Sequence, residues 1–213
     1  MAARRALGRA SAGQGERVSR VTGEPASAGE ADPEAVARQI CLRMLAAAPR
    51  TRAQLATALR RRGVPEDAAE AVLSRFADVK LIDDTMFANA WVESRHHGRG
   101  LSGRALAAEL RRRGVASGDI QAAVSRLGPE QEIDTARSLV ARRLAATRGQ
   151  PTPARVRRLI GVLARKGYSQ ALAYRVAREA LEQEGVELAT AGVDLSDAPD
   201  EAGEMPDGWL PEP

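Results

Sequence analysis

Aromatic residues make up only 3% of this 213-residue chain, and cysteine occurs once, at Cys41. A single cysteine excludes an internal disulfide, and with only His96 and His97 beside it in the inventory no standard zinc ligand set can be assembled. Lysine is almost missing, since Lys80 and Lys166 are the only two and arginine supplies the rest of the positive charge. No run approaches the roughly 18 apolar residues that would span a bilayer, and the N-terminus has no apolar core of a secretory signal. These absences predict a soluble, cytoplasmic protein with no membrane association. Its one thiol is predicted as a buried helix residue in a reducing compartment.

Charge of one sign is missing locally as well. Residues 186–213 carry eight acidic groups and no basic one, whereas residues 33–185 carry 27 basic and 16 acidic groups. Residues 1–32 are near balance, with five basic and four acidic groups. GC-rich coding explains arginine in place of lysine, but not the collection of acids in one tail. A basic body with an acidic tail predicts a polyanionic partner or an acidic protein surface.

What is present is a repeat. Leu55, Leu59, Arg60, Arg61, Arg62, Gly63 and Val64 return 51 positions later as Leu106, Leu110, Arg111, Arg112, Arg113, Gly114 and Val115. Ile82-Asp83 returns after the same step as Ile133-Asp134. A third, looser copy places Leu163, Arg165, Lys166, Gly167 and Tyr168 two residues late, which a short insertion around 149–153 explains. A fixed period of this length marks a repeat array. The stretch from Leu81 to Val115 is its middle, and it holds most of the large apolar residues.

Apolar spacing and capping residues divide each period into three helices. Asp32-Pro33-Glu34 opens the first, with Val36, Ile40 and Met44 at helical spacing. Thr51 caps the second, which Gly63 stops, and Pro65-Glu66-Asp67 opens the third. In the middle unit Asp84 is predicted to cap a helix carrying Phe87, Ala88, Trp91 and Val92. Ser102 caps the next, which ends at Gly114, and the last starts near Gly118 and ends at Gly128-Pro129. The third unit is predicted as helices over about 134–147, 153–166 and 170–184. No segment alternates like a strand. The expected fold is all-α: three tandem three-helix repeats of about 51 residues (33–83, 84–134 and 135–185) in an elongated, curved array. Disordered tails are predicted over 1–32 and 186–213. The first twenty residues have the Arg, Ala and Ser content of a transit peptide, but glycine breaks and the lack of an apolar face favour a disordered tail.

Catalytic motifs find little support. Gly98, Gly100 and Gly103 spell GxGxxG, but the dinucleotide fingerprint needs a strand before the turn, and here a helix precedes it. The three glycines are instead predicted to form a mobile link. His96 and His97 read as a solvated helix end beside Arg95 and Arg99, where the helix dipole favours cations. Asp83-Asp84 reads as an N-cap and its neighbour, because no third metal ligand is evident. No catalytic residue, cofactor or metal is expected.

The arginine runs are the candidate site. Arg60, Arg61 and Arg62 and then Arg111, Arg112 and Arg113 fall in the last turn of equivalent helices. Arg157, Arg158, Arg165 and Lys166 lie on the corresponding helix of the third unit. Dipole complementarity accounts for about one of these per helix; the surplus predicts a contact stripe for a partner or for phosphate, with Arg95 and Arg99 beside it. Single-strand recognition by stacking would need free aromatics, and Phe76, Phe87 and Trp91 are predicted to belong to cores. Direct reading of duplex DNA by helix-turn-helix units would need polar base-reading residues at the start of each third helix. Those starts are Pro-Glu-Asp, Ser-Gly-Asp and Ser-Gln.

The central stretch resembles the RecX family, regulators of the bacterial recombinase RecA. The resemblance rests on Leu81-Ile82-Asp83-Asp84, Phe87-Ala88, Trp91-Val92, Arg95, Gly100, Glu109-Leu110 and Gly114-Val115, and on the repeats over about 33–185. Lys80 is a departure, standing where the family often has glycine. The resemblance implies a cytoplasmic, non-enzymatic monomer that binds RecA or its DNA filament and limits recombinase, ATPase and coprotease activity in the SOS response and DNA repair. Non-specific nucleic-acid contact is the alternative that the basic array leaves open.

Overall fold

The computed structural model of the chain describes residues 32–186. The predicted tails fall, apart from Asp32 and Val186, outside the described residues. Within them lie nine α-helices and one 3-10 turn. The first repeat consists of α1 (Pro33–Ala47), α2 (Arg52–Arg61) and α3 (Glu66–Asp78), and the second of α4 (Asp84–Arg99), α5 (Gly103–Arg112) and α6 (Ser117–Ser125). The third contains α7 (Pro129–Leu144), α8 (Thr152–Ala164) and α9 (Gln170–Gln183), with the 3-10 turn Ala145–Thr147 after α7. The all-α tandem-repeat fold is therefore as the sequence predicts.

Each repeat closes over its own small core. Ala37, Cys41, Leu55, Leu59, Val72, Leu73, Phe76 and Ile82 form the first, and Ala88, Val92, Leu106, Leu110, Val115, Ile120 and Ala123 the second. The third gathers Ala136, Val140, Val156, Leu159, Leu163, Tyr168, Ala173, Val176 and Leu181. The leucines of the second helices are completely buried, so truncating one to alanine would cost about 2 to 5 kcal/mol. Cys41 is buried as expected, and burial raises its thiol pKa.

The glycine after each second helix is required by the backbone. Gly63, Gly114 and Gly167 have φ of 73°, 76° and 85°, and each begins the same helix stop. The amides of Val64, Val115 and Tyr168 donate back to the carbonyls of Leu59, Leu110 and Leu163, each over 3.2 Å. This is a Schellman motif, whose left-handed residue favours glycine. Lys80 occupies the same left-handed position after α3, at φ 59°, with Leu81 N–H donating to Phe76 C=O over 2.8 Å. The turn thus survives without glycine.

Three local expectations need correction. The helix predicted from about Asp134 begins at Pro129, because Gly128-Pro129 starts α7 as well as following α6, and Glu130 and Glu132 occupy its first turn. Ile133-Asp134 therefore lies inside a helix, although its sequence copy Ile82-Asp83 precedes one. Asp83, not Asp84, is the N-cap of α4: it accepts from Met86 N–H, which frees Asp84 for another role. The GxGxxG segment is not a loose link. Gly98 lies within α4, Gly100 caps it at φ 65°, and Gly103 is the buried first residue of α5.

Candidate interaction surface

The surface is built on the joints between repeats, and both joints follow one plan. The glycine corner ending one repeat's second helix seats on the first turn of the preceding repeat's second helix. At the first joint Thr51 Oγ1 donates to the Arg113 carbonyl over 2.6 Å, and a Cβ added to Gly114 would lie 2.3 Å from Ala53 Cβ. At the second, Ser102 N–H donates to the Lys166 carbonyl over 2.9 Å, and a Cβ on Gly167 would lie 2.7 Å from Ala105 Cβ. Either contact would force the backbones apart, so the close approach requires glycine.

An acid from the following repeat completes each joint. Asp84 accepts from Arg52 N–H over 2.9 Å, and Glu132 accepts from Gly103 N–H, in both cases the first amide of a second helix. Such amides have no partner within their own helix. Thr51 also keeps its own capping box with Gln54, so one hydroxyl accepts inside its repeat and donates outside it. Burial raises the Asp84 pKa, against the opposing effect of the bond from Arg52 N–H.

His96 belongs to the second joint, which corrects its reading as a solvated helix end. It is 2% exposed, with Nδ1 2.8 Å from the Leu101 carbonyl and Nε2 2.9 Å from Thr135 Oγ1 on α7. The carbonyl can only accept, so Nδ1 carries a proton and donates to it. His97 is exposed, in keeping with its reading as solvated.

Between the joints α4 carries a line of cations. Trp91 is half-buried at the rim of the second core, not inside it as predicted, and stacks on Phe87 with ring centroids 5.6 Å apart. The Arg113 guanidinium lies 3.8 Å and that of Arg95 4.2 Å from the Trp91 ring centroid, cation–π contacts that fix both side chains. Trp91 Nε1 donates to Glu109 over 2.7 Å. The Arg95 pKa is lowered, first by burial and then by the charge of Arg99, with Glu109 opposing. The Lys166 pKa is lowered by burial and then by Arg99 and Arg165. A continuous order results: Arg113, Trp91, Arg95, Arg99, Lys166, Arg165, running from one joint to the other.

Along this track, Arg95, Arg99, Arg165 and Lys166 form no ion pair among the described residues, and neither do the adjoining exposed Arg111 and Arg112. Some arginines elsewhere are matched to acids: Arg52 with Glu70, Arg75 with Glu34, Arg137 with Glu179, and Arg178 with Glu182. The predicted site residues thus divide. Arg95, Arg99, Arg113, Arg165 and Lys166 come together, whereas Arg60, Arg61 and Arg62 project from the free corner of the first repeat and Arg157 and Arg158 from α8. Arg158 is seven residues before Arg165 and so on its face of the helix. Leu110 and Ala88 are core, as predicted.

Sequence reasoning missed Arg155. Twelve residues before Gly167, it holds the register that Thr51 holds before Gly63 and Ser102 before Gly114. It is 7% exposed, donates from Nε to Thr147 Oγ1 over 3.0 Å, and pairs through Nη2 with Glu184. Because α8 starts earlier and Arg155 fills this position, the third repeat does not repeat the seat of the other two. Among the described residues there is no group of three potential metal ligands, and no helix is long and apolar enough to cross a membrane.

Comparison with known proteins gives this architecture its family. Models for the first, second and third three-helix domains of RecX match residues 37–76, 83–124 and 130–177 in turn. The chain is 64% identical over 163 residues to the regulatory protein RecX of Thermobifida fusca, covering 75% of this chain and 88% of that one. It is 64% identical over 154 residues to the regulatory protein RecX of Streptomyces coelicolor, covering 72% and 82%. The crystal structure of RecX from Lactobacillus salivarius superposes with a TM-score of 0.65 at 17% identity, over 70% of this chain and 97% of that one, a likeness of fold. Matched domain by domain along its three repeats, the chain belongs to the RecX family.

Proposed function

We propose that the chain is a non-enzymatic, cytoplasmic, monomeric regulator that binds RecA or its DNA filament and restrains recombinase, ATPase and coprotease activity. The basic track is the proposed contact. One observation carries this reading: Arg95, Arg99, Lys166 and Arg165 lie in succession from α4 to the second joint, burial and then the charges of neighbours lowering the pKa of Arg95 and Lys166, and none of the four forms an ion pair among the described residues. Crowding like charges costs folding free energy, so a surface that keeps them is explained by a partner that supplies the opposite charge. Phosphate along a filament, or a carboxylate-rich face of the recombinase, meets that requirement.

A second reading, direct binding to DNA phosphate, draws on the same cations. The test separates the two. RecA ATPase on single-stranded DNA is titrated with the parent and with Arg111→Glu/Arg112→Glu/Arg165→Glu, three exposed positions whose replacement leaves the Trp91 stack intact. The parent inhibits, and the variant needs at least tenfold more protein for the same inhibition, a difference that shrinks as salt rises. A folded variant that inhibits as well as the parent removes the track from the site. Retention of naked duplex DNA by the parent, with no effect on the ATPase, favours the phosphate reading.

A further inference from the structure

The second helices of the three repeats meet end to start. The carbonyl end of α8 seats on the first turn of α5, and the carbonyl end of α5 on the first turn of α2. Each meeting brings the negative end of one helix dipole to the positive end of the next. The series stops at α2, whose own carbonyl end has no successor among the described residues. Its corner, Arg60-Arg61-Arg62-Gly63-Val64, has the same five residues as Arg111-Arg112-Arg113-Gly114-Val115. It also has the same left-handed glycine, at φ 73° against 76°, and the same pair of backbone bonds.

The two corners differ in one respect. A Cβ on Gly114 would collide with Ala53, whereas a Cβ on Gly63 would meet nothing within 4 Å. The Arg113 carbonyl accepts from Thr51, whereas the Arg62 carbonyl accepts from no described residue. In a second copy of the chain, the equivalent seats among the described residues are already filled. The first turns of α2 and α5 are filled by its own Gly114 and Gly167 corners, and the equivalent register on α8 is taken by Arg155.

We propose that the Arg60–Val64 corner is a docking surface for the first turn of a helix on the partner protein, repeating the contact that joins the repeats. The matching helix begins with a serine or threonine N-cap, whose hydroxyl or amide donates to the Arg62 carbonyl. A small residue, alanine or glycine, follows within its first turn and lies against Gly63. This deepens the proposed function and rests on it, because it assigns the first repeat a protein contact on RecA and leaves the track for charge.

The test uses the full chain and RecA assembled on single-stranded DNA. Gly63→Asn retains the left-handed backbone, which asparagine tolerates, and fills the space that the partner's small residue would occupy. The expected result is a melting temperature within about 2 °C of the parent and an affinity for the filament at least tenfold weaker. In parallel, Arg61→p-benzoylphenylalanine is photo-crosslinked to the filament, and the product maps to the start of a RecA helix. Equal binding by the parent and Gly63→Asn overturns the docking surface while leaving the proposed function standing. A parent that does not bind the filament overturns both. Crosslinks to residues 1–31 or to a second copy overturn the proposal in favour of self-contact.

Discussion

Arg155 and Arg165 lie ten residues apart on or beside α8, and the chain treats them in opposite ways. Arg155 is buried, bonded to Thr147 and paired with Glu184, which Arg148 also engages over 2.9 Å. Arg165 is exposed beside Lys166 and Arg99, with no acid paired to it among the described residues. The first arrangement completes a repeat; the second leaves charge available to something outside the chain. The same side chain thus serves closure or contact, according to whether its own fold supplies the counter-charge.

Removing the closed arginine should have the largest effect. Arg155→Ala loses a bond to Thr147, a charged pair and its packing, at a cost of about 2 to 3 kcal/mol, measurable as a lower denaturant midpoint. Acid should weaken the same contact in the parent. Hydrogen bonds from Arg155 and Arg148 hold the Glu184 carboxyl below its ordinary value of 4.5. Its stabilisation is therefore complete above that value and is lost as pH falls through the depressed folded pKa. Arg155→Ala, which leaves only Arg148 on Glu184, should show a smaller step in its acid-unfolding profile.

Tyr168 tests a buried group left without a partner. Its phenol is 2% exposed, its hydroxyl has no hydrogen bond, and burial followed by the charge of Glu132 pushes its pKa up to about 12. Tyr168→Phe removes an unsatisfied polar atom and should stabilise the chain by about 1 kcal/mol, read from chemical denaturation. A loss of stability would reveal a bond that the hydroxyl makes in solution.

The smallest effect belongs to the open cluster. Lys166→Gln should raise stability at neutral pH by about 0.5 kcal/mol or less, since water screens much of the repulsion, while weakening filament binding. The sign follows from a folded-state pKa lowered below 10.5. The charged lysine destabilises the fold at neutral pH, and that cost disappears as pH rises from the folded value towards 10.5. The parent should therefore approach the variant's stability in alkali.

These contrasts separate what the sequence could reveal from what it could not. The period, the three-helix plan, the caps at Thr51, Ser102 and Ser169 and the glycine corners are local, because each depends on residues within a few positions of one another. The joints pair residues such as Thr51 and Arg113, 62 positions apart, and no periodicity names those partners. Trp91 looked like core because its spacing fits the apolar stripe of α4; only the arrival of Arg113 from α5 shows that it lies at a rim. The cations of the track are all legible as a contact stripe, but their order is not: Arg99 and Lys166 meet only once the second and third repeats have joined. Arg155 did leave a signal, since an arginine where the register expects serine or threonine marks a unit built differently.

The joints also set an order of completion during synthesis. A chain that emerges from its N-terminus presents the first repeat before either partner for its second helix exists. Thr51 waits for the Arg113 carbonyl and the Arg52 amide for Asp84, so the first unit acquires its full set of bonds only after most of the second has been made. The second waits in the same way for Glu132 and Lys166. The last unit closes on Arg155 and Glu184 from within itself. Stability therefore arrives from the C-terminal side, and a nascent chain arrested after its first repeat exposes an unfinished helix start to whatever lies nearby.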